Sequence, residues 1–220
     1  MNGGAPLLRS SNPVQDAVNN RAQIVPGEWV SVYGTNFADI VKDWSDQDFS
    51  TGVLPTSVAG VQVLVNGSPA PVWYVFPGQV NFQTPTNIGG TASVEVVHNG
   101  VSSAAATVNV VSSSPGVISY SSDFVTFYPS AQFAGTSNIV GDPAVFGSLV
   151  KKARPGDLIQ MYATGLSSTQ SGIVVSTAIP YAPAVTIKIG SASVTPVFTG
   201  LTITTNGTSS QSGVVLAVGP

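Results

Sequence analysis

The chain has 220 residues, of which 43% are apolar and only 8% are charged, and its formal net charge is −3. A disordered chain needs low hydrophobicity and high charge, so this composition predicts a folded protein with a sizeable core. The acidic balance argues against a nucleic-acid partner, because such binding depends on clustered Lys and Arg. No apolar run reaches the ~18 residues that a membrane-spanning helix needs, so we expect no membrane insertion.

Apolar residues alternate with polar ones in short runs that turn signals separate, a pattern typical of β-strands. The stretch "GVQVLVNGSPAPVWYV" turns at Asn66-Gly67, a pair of residues favoured in two-residue hairpins. The same device recurs at Asn99-Gly100 within "ASVEVVHNGVSSAAATVNVV", and "PAVTIKIGSASVTPVF" predicts a third hairpin. No segment keeps a helical period. The sequence therefore predicts an all-β protein.

Three blocks occur twice in the same order, which indicates an internal duplication. "VPGEWVSVYGTNF" matches "RPGDLIQMYATGL", "GVQVLVNGSPAPV" matches "AVTIKIGSASVTPV", and "GQVNFQTP" matches "GVVLAVGP". Each copy is near the ~100 residues of an immunoglobulin-like sandwich. We therefore predict two tandem immunoglobulin-like β-sandwiches over residues 13–112 and 113–220, preceded by an N-terminal extension at residues 1–12.

The second copy is shorter than the first at its C-terminal end. After "GQVNFQTP" the first copy continues with a hairpin, whereas the second stops after "GVVLAVGP" and is expected to lack its final strands. An unpaired strand edge is a template for another chain. Our hypothesis is that the aromatic segment Ser119–Phe133 covers the resulting groove from within. The alternative is that Met1–Asn12 of another copy adds as a strand, which would build filaments if the contact does not close. The predicted assembly edge consists of Val214, Val215, Leu216 and Val218.

An acidic loop in the first copy, "ADIVKDWSDQDFSTG", carries the candidate metal site. Calcium prefers about six to eight oxygen ligands, which clustered carboxylates and loop carbonyls supply. The loop lacks the spacing of an EF-hand, so we favour a solvated loop in which Trp44 covers an edge of the sandwich. We expect no cofactor, and calcium is the alternative that this loop offers. If the loop binds calcium, the ligands are Asp39, Asp43, Asp46 and Asp48.

Aromatic side chains supply the candidate ligand-binding residues. Alternation places Tyr74 and Phe76 on the core face of their strand and leaves Trp73 outside. The same alternation places Trp29 outside. An outward tryptophan can stack on a sugar ring, so Trp44 and Trp73, with the acidic loop, are candidates for binding a polysaccharide. A contact between domains is the interpretation that we favour for the outward tryptophans.

His98 is the only histidine and lies beside the second Asn-Gly turn. A Ser-His-Asp site would need this ring between a carboxylate and a nucleophile, whereas a histidine at a hairpin end is usually just exposed. The sequence contains no G-x-S-x-G elbow, P-loop or H-E-x-x-H motif. We therefore expect no enzymatic activity and no catalytic residues.

The Pro-Gly-acidic block, "LPTSVAGVQVLVNGSPAPVWYVFPGQVNFQTP" and "ARPGDLIQMYATGL" together resemble the Solibacter-type uncharacterised C-terminal domain family. Its members sit at the ends of large secreted acidobacterial proteins and are similar to paired IPT/TIG modules of the immunoglobulin-like class. The resemblance covers about Pro13 to Pro220. It implies two IPT/TIG-type sandwiches but no established activity or ligand, so no functional residues carry over. The acidic loop is longer and more charged than is usual in this family.

These observations predict a non-enzymatic structural, adhesion or assembly module of a secreted or cell-surface protein. A composition rich in Ser, Thr and Asn with few charges favours an extracellular location. The expected partner is another protein, or a second copy of the chain, that pairs with the open sheet edge. The alternative is a carbohydrate-binding module that uses exposed tryptophans and the acidic loop.

Overall fold

The computed structural model describes residues 4–45, 48, 50–121, 125–175, 179–180 and 185–201, together with the backbone of residues 214–218. The described chain is almost entirely β-structure, as predicted. It divides into two compact units. Of the described residues, the first unit holds those up to Ser114 together with Ser167–Val174. The second unit holds Pro115–Leu166 and the residues from Val175 onward.

The first unit is a sandwich of two sheets. One sheet contains β1, β2, β4, β7 and β8, and the other contains β3, β5, β6, β9, β10 and β11. The strands pair in antiparallel fashion, except that β3 and β11 are parallel. The strand bounds are β1 (Leu7–Leu8), β2 (Val14–Asp16), β3 (Gln23–Ile24), β4 (Trp29–Thr35), β5 (Val61–Val65), β6 (Ser68–Ala70), β7 (Val72–Phe76), β8 (Gln79–Gln83), β9 (Gly90–His98), β10 (Val101–Ser102) and β11 (Ala106–Val110).

The core of the first unit lies between these sheets. Inward residues alternate with outward ones along β5 and β9, as a half-buried strand requires. Valine dominates the core because a β-branched side chain packs well on a pleated surface. The immunoglobulin-like sandwich predicted for this part of the chain is confirmed. Its fully buried core includes Val30, Val32, Val61, Val63, Val72, Val75, Val80, Phe82, Val94 and Val96.

Both Asn-Gly turns of the first unit form the predicted hairpins. Asn66 and Gly67 have φ values of 50° and 78°, and Asn99 and Gly100 have 49° and 84°. Positive φ at both central residues is the mark of a type I′ turn. The return strand of the first hairpin is shorter than predicted. It stops before Pro71, which has no N–H for a strand ladder, and the chain then crosses to the other sheet as β7.

Part of the predicted N-terminal extension belongs to the first sheet. β1 pairs with β4, so that Leu7 lies opposite Thr35 and Leu8 lies opposite Gly34. The described part of the extension, which begins at residue 4, therefore builds into its own unit. It is not a free arm that waits for another copy.

The main sheet of the second unit has the order β17-β16-β15-β18-β23-β22-β19, with β12 also paired to β18. Two separate hairpins, β13-β14 and β20-β21, accompany it, and β20-β21 is the third predicted hairpin. No helix of the described residues is long and apolar enough to cross a membrane. The bounds are β12 (Gly116–Val117), β13 (Ser119–Tyr120), β14 (Tyr128–Pro129), β15 (Ala131–Phe133), β16 (Ile139–Val140), α1 (Pro143–Phe146), β17 (Val150–Lys151), β18 (Ile159–Thr164), β19 (Ile179–Pro180), β20 (Ile187–Ile189), β21 (Ala192–Val194), β22 (Phe198–Leu201) and β23 (Val214–Val218).

The unpaired edge predicted at Val214, Val215, Leu216 and Val218 is wrong. β23 lies between β18 and β22 and pairs with both of them. The duplication explains this position, because β8 has the same place between β4 and β7 in the first unit. In the first unit, moreover, the strands that follow β8 belong to the opposite sheet, so they do not cover an edge of β8. Strand addition to β23 therefore has no open ladder to use.

Candidate functional site

The repeated Pro-Gly-acidic block forms the same turn in both units. Gly27 and Gly156 have φ values of 80° and 95°, a backbone conformation that glycine adopts without steric cost. A carboxylate oxygen of Glu28 accepts a hydrogen bond, at 2.6 Å, from the backbone N–H three residues earlier. Asp157 does the same at 2.7 Å. The acidic residue of the block therefore stabilises its own turn.

In the first unit this turn is held by the threonine that follows β8. The hydroxyl of Thr84 donates to the carbonyl of Val25 at 2.7 Å and accepts from the N–H of Glu28 at 3.1 Å. The backbone N–H of Thr84 also donates to the carbonyl of Glu28 at 2.9 Å. All three residues are buried. The hydrogen bonds replace water for groups that would otherwise be unsatisfied in the interior.

The segment Ser167–Val174, called the docked segment below, packs against the same turn. The backbone N–H of Thr169 donates to the carbonyl of Pro26 at 3.1 Å, and its hydroxyl donates to the carbonyl of Gly27 at 3.0 Å. A Cβ atom on Gly27 would clash with the carbonyl oxygen of Thr169. Glycine is thus required here by close approach of the docked segment as well as by its positive φ.

Gln83 is a second anchor for the docked segment. Its side-chain N–H donates to the carbonyl of Gly27 at 3.0 Å, and its side-chain oxygen accepts from the N–H of Gly172 at 2.8 Å. The segment continues beside residues 52–54, where Leu54 donates its N–H to the carbonyl of Gly172 at 2.9 Å. A buried side chain therefore joins two backbone segments that are far apart in the sequence.

Glu28 is buried, with 4% of its surface exposed. Burial raises the pKa of Glu28 to about 8, and the nearby Asp16 adds to the rise, although the hydrogen bond from Val25 opposes it. Among the described residues, the second carboxyl oxygen has no hydrogen-bond partner. A neutral carboxylic acid fits this site better than a carboxylate, because burying an unpaired charge is costly.

The three tryptophans of the chain form one cluster, called the tryptophan cluster below. The ring centroid of Trp29 lies 5.4 Å from that of Trp44 and 5.6 Å from that of Trp73. Trp44 donates its ring N–H to the carbonyl of Val72 at 2.7 Å. The prediction that Trp29 lies outside is wrong, because Trp44 and Trp73 cover it. Trp29 and Trp44 are buried and Trp73 is half-buried, so a sugar has little access to the first two rings.

A β-bulge in β7 reverses the predicted facing of its aromatic residues. Val72 lies opposite Phe82, yet Tyr74 lies opposite Asn81, so Trp73 is the extra residue. An inserted residue shifts the alternation by one position. Consequently Tyr74 and Phe76 face outward. Phe76 is 44% exposed, whereas the valines at positions 72 and 75 are fully buried.

The outward residues of β4, β7 and β8 form an aromatic–amide face, defined by Tyr33, Tyr74, Phe76, Gln79 and Asn81. Directly paired residues of an antiparallel sheet share one face. One row contains Tyr33, Gln79 and Phe76, and the next contains Asn81 and Tyr74. Sequence reasoning missed this face because the bulge has no residue signature in "PVWYVF".

The described carboxylates of the acidic loop make separate local contacts. Asp43 accepts the N–H of Trp44 at 2.7 Å. Asp48 accepts the N–H and hydroxyl of Ser45 at 2.7 and 2.8 Å, and these bonds hold the pKa of Asp48 below its usual value. Asp46 lies outside the described residues. In the described part of the chain, no three acidic or histidine side chains are placed to hold a metal ion. Calcium binding stays a prediction.

Asp39, the remaining acidic candidate, lies beside the histidine. Its carboxylate is 3.5 Å from the Nε2 atom of His98, and the amide nitrogen of Asn99 is 3.1 Å from the same ring atom. His98 is buried at the end of β9, so the prediction of an exposed histidine is wrong. No hydroxyl of the described residues hydrogen-bonds the ring, whereas a hydrolytic triad places a nucleophile there.

The second unit has a cleft of about 750 Å³ beside its basic residues. Lys152 forms an ion pair with Asp142 at 2.8 Å, and this contact holds the pKa of Asp142 below its usual value. Asp157 also lines the cleft. The cleft therefore presents charges of both signs, which does not favour an anionic ligand.

The comparison with family models identifies one part of the chain. Residues 13–113 match the IPT/TIG domain. This stretch includes the strands β2–β11 of the first unit. IPT/TIG domains are immunoglobulin-like, non-catalytic modules of the structural and binding class, in agreement with the fold of this unit. The narrower resemblance to the Solibacter-type family stays a prediction.

A search of curated proteins finds no match. Among solved structures, the crystal structure of gamma-CGTase from alkalophilic Bacillus clarkii is similar over 79% of this chain, with 13% sequence identity and a TM-score of 0.35. The similar region is 26% of that enzyme's chain, so the present chain spans about a quarter of its length. At this TM-score the likeness carries no argument about fold or function.

Proposed function

We propose that this chain is a non-enzymatic structural module of a secreted or cell-surface protein, in which two tied immunoglobulin-like units serve display, adhesion or assembly. The docked segment is the observation that carries the proposal. It follows the first part of the second unit in the sequence, yet it belongs to the first unit.

The path of the chain ties the two units by more than one connection. The described chain passes from the first unit to the second after Ser114, returns after Leu166, and leaves again after Val174. Opening the first unit therefore requires release of a segment whose two ends continue into the second. Such a path suits a module that must keep its parts together outside the cell, where chaperones do not refold it.

The docked segment is not a loose addition to the first unit. Its removal would leave the side-chain oxygen of Gln83 without the N–H of Gly172, and the carbonyl of Gly27 without the hydroxyl of Thr169. Each of these hydrogen bonds contributes about 0.5–1.5 kcal/mol net. The first unit is therefore expected to depend on the segment for its stability.

Composition and family class support the rest of the proposal. Only 8% of residues are charged. The IPT/TIG match over residues 13–113 supports a structural or binding role for the first unit. Strand addition at β23 does not enter the proposal, because both sides of that strand are paired.

The test uses the chain within its parent protein, in the organism that produces it. Antibody labelling of intact cells, before and after added protease, compares the wild type with Gln83→Leu and with Gln62→Leu as a matched control. Gln62 lies half-buried on β5. We expect labelling of intact cells that survives protease in the wild type and the control. We expect Gln83→Leu to be cleaved within the docked segment.

Two outcomes contradict the proposal. Labelling that requires permeabilised cells would exclude a surface or secreted location. Protease resistance of Gln83→Leu equal to that of Gln62→Leu would show that the docked segment does not tie the units.

A further inference from the structure

The aromatic–amide face (Tyr33, Tyr74, Phe76, Gln79 and Asn81) has no role in the structural function proposed above. It covers the side of the sheet that is opposite to the core. Phe76 is 44% exposed and Tyr74 is half-buried. A large aromatic ring left in water forgoes the stabilisation that burial would supply. The bulge at Trp73 turns two such rings outward at once, so exposure here has a structural cause.

The two amides of the face are held in fixed orientations. The side-chain oxygen of Asn81 accepts hydrogen bonds from the hydroxyl of Ser31 at 2.9 Å and from the amide nitrogen of Gln79 at 2.8 Å. Ser31 is buried, with 2% of its surface exposed. Because a buried hydroxyl and a neighbouring amide fix its oxygen, the amide nitrogen of Asn81 faces away from both.

This network leaves one donor and one acceptor unused on the surface. Among the described residues, the amide nitrogen of Asn81 and the side-chain oxygen of Gln79 have no protein partner. A primary amide offers two N–H donors and one carbonyl acceptor in a single plane. Donor and acceptor thus lie beside the rings of Tyr74 and Phe76, in positions set before any ligand arrives.

Charge contributes little to this face, since none of its five members is Asp, Glu, Lys, Arg or His. One cation beside the face, the guanidinium of Arg9, lies over the ring of Tyr33 at 4.9 Å from its centroid. It also donates to the carbonyls of Ser11 and Asn12 at 2.8 and 2.5 Å. Arg9 is therefore committed to its own chain, and the face suits an uncharged ligand.

We propose that the aromatic–amide face binds neutral polysaccharide, with Tyr74 and Phe76 as platforms for sugar rings and with Asn81 and Gln79 as partners for sugar hydroxyls. A sugar ring presents C–H groups on its faces and hydroxyls, which both donate and accept, on its rim. Residues two apart on a strand stand about 7 Å apart, so the two platforms contact neighbouring parts of one sugar chain. Trp29 of the tryptophan cluster lies one row further along β4, opposite Gln83.

The alternative occupant, a protein, fits less well. The centre of a protein interface is typically a continuous apolar patch. Here the rings alternate with amides, and the largest apolar side chains nearby, Trp29 and Trp44, are already buried. The proposal does not rest on the structural role of the docked segment, so either can fail without the other.

The test measures retention of the full chain on cellulose, chitin, xylan, galactomannan and starch, at low and at high salt. We expect retention on at least one of them that changes little with salt, because no ionic contact is involved. Tyr74→Ala and Asn81→Asp should each weaken binding about tenfold, the effect of losing ~1.4 kcal/mol. Asn81→Asp keeps the oxygen that accepts from Ser31 and replaces the N–H donor by an anionic acceptor oxygen.

Phe127→Ala is the matched control, because Phe127 is 63% exposed and lies in the second unit. It should bind as the wild type does. Tryptophan fluorescence checks that each variant retains the first unit. Retention on none of the five polysaccharides overturns the proposal. So does retention that both variants leave unchanged, and so does binding that salt abolishes.

Discussion

The two Pro-Gly-acidic turns have the same local geometry but opposite environments. Both glycines have positive φ and both acidic residues accept the N–H three residues earlier. Yet Pro26 and Gly27 are buried, whereas Pro155 and Gly156 are exposed. A Cβ on Gly27 would meet the docked segment, while one on Gly156 would meet none of the described residues within 4 Å. The block therefore specifies the turn, and its surroundings decide how much stability depends on it.

The difference follows from residues outside the block. The first turn is held by Gln83 and Thr84, whose side chains donate to its carbonyls. The internal alignment pairs these positions with Val218 and Gly219, which have no polar side chain. At these two positions the second copy consequently has no side chain that could donate a hydrogen bond to its turn. The same duplicated motif is a buried contact for the docked segment in the first unit and an exposed turn in the second.

Replacing each glycine by alanine should break this comparison most clearly. Gly156→Ala costs about 1–2 kcal/mol of stability, because a residue with a Cβ is strained at positive φ. Gly27→Ala has the same cost in backbone strain. It also displaces Thr169, and the two hydrogen bonds that Thr169 donates to the turn are worth about 1 kcal/mol each. We expect Gly27→Ala to lower the free energy of unfolding of the first unit by about 3–4 kcal/mol.

Urea unfolding followed by tryptophan fluorescence measures this effect, because all three tryptophans lie in the first unit. Gly156→Ala serves as the control and should leave the fluorescence transition in place. Equal effects of the two substitutions on that transition would mean that the docked segment contributes nothing to the first unit.

The acidic residues sharpen the comparison through pH. Glu28 has a pKa of about 8 in the folded state, against an ordinary value of 4.5. Below pH 4.5 the carboxyl is protonated in both states. Between pH 4.5 and 8 the unfolded chain releases a proton that the folded chain keeps, so the free energy of unfolding falls as the pH rises. Each pKa unit corresponds to about 1.4 kcal/mol.

Glu28→Gln should remove this slope, because glutamine is uncharged at every pH and keeps an oxygen for the N–H of Val25. Between pH 5 and pH 8 we expect the wild type to lose up to about 4 kcal/mol more than the variant. Urea midpoints at a series of pH values provide the measurement. Parallel curves for the wild type and Glu28→Gln would show that Glu28 is ionised in the folded protein.

The features that could be predicted from the sequence are those that depend on adjacent residues. The Asn-Gly hairpins formed because positive φ at two adjacent positions is a local property of Asn and Gly. The facing of Tyr74 and Phe76 failed because a single bulge at Trp73 shifts every later residue to the other face. Nothing in the residue types of that strand marks the bulge, which arises from pairing with β8.

The contacts between the docked segment and the first turn could not be predicted, because they join residues that are far apart in the sequence. Thr169 and Gly27 are 142 positions apart, and Gly172 and Gln83 are 89 apart. Thr and Gln are common surface residues, so their burial was not evident from composition or spacing. The position of β23 was available from the sequence, however. The block "GVVLAVGP" aligns with β8, which lies between two strands of its sheet. This alignment predicts an internal strand and not an open edge.

The smallest effect should come from the second turn. Asp157→Ala removes the acceptor for the N–H of Arg154, but that N–H is exposed and can bond to water instead. We expect a loss below about 1 kcal/mol, confined to the turn. Hydrogen exchange of the Arg154 amide should quicken in the variant, while the fluorescence transition of the first unit stays unchanged. A shift of that transition would mean that the second turn supports the first unit as well. The contrast with Glu28 would then reflect coupling between the units and not the burial of one turn.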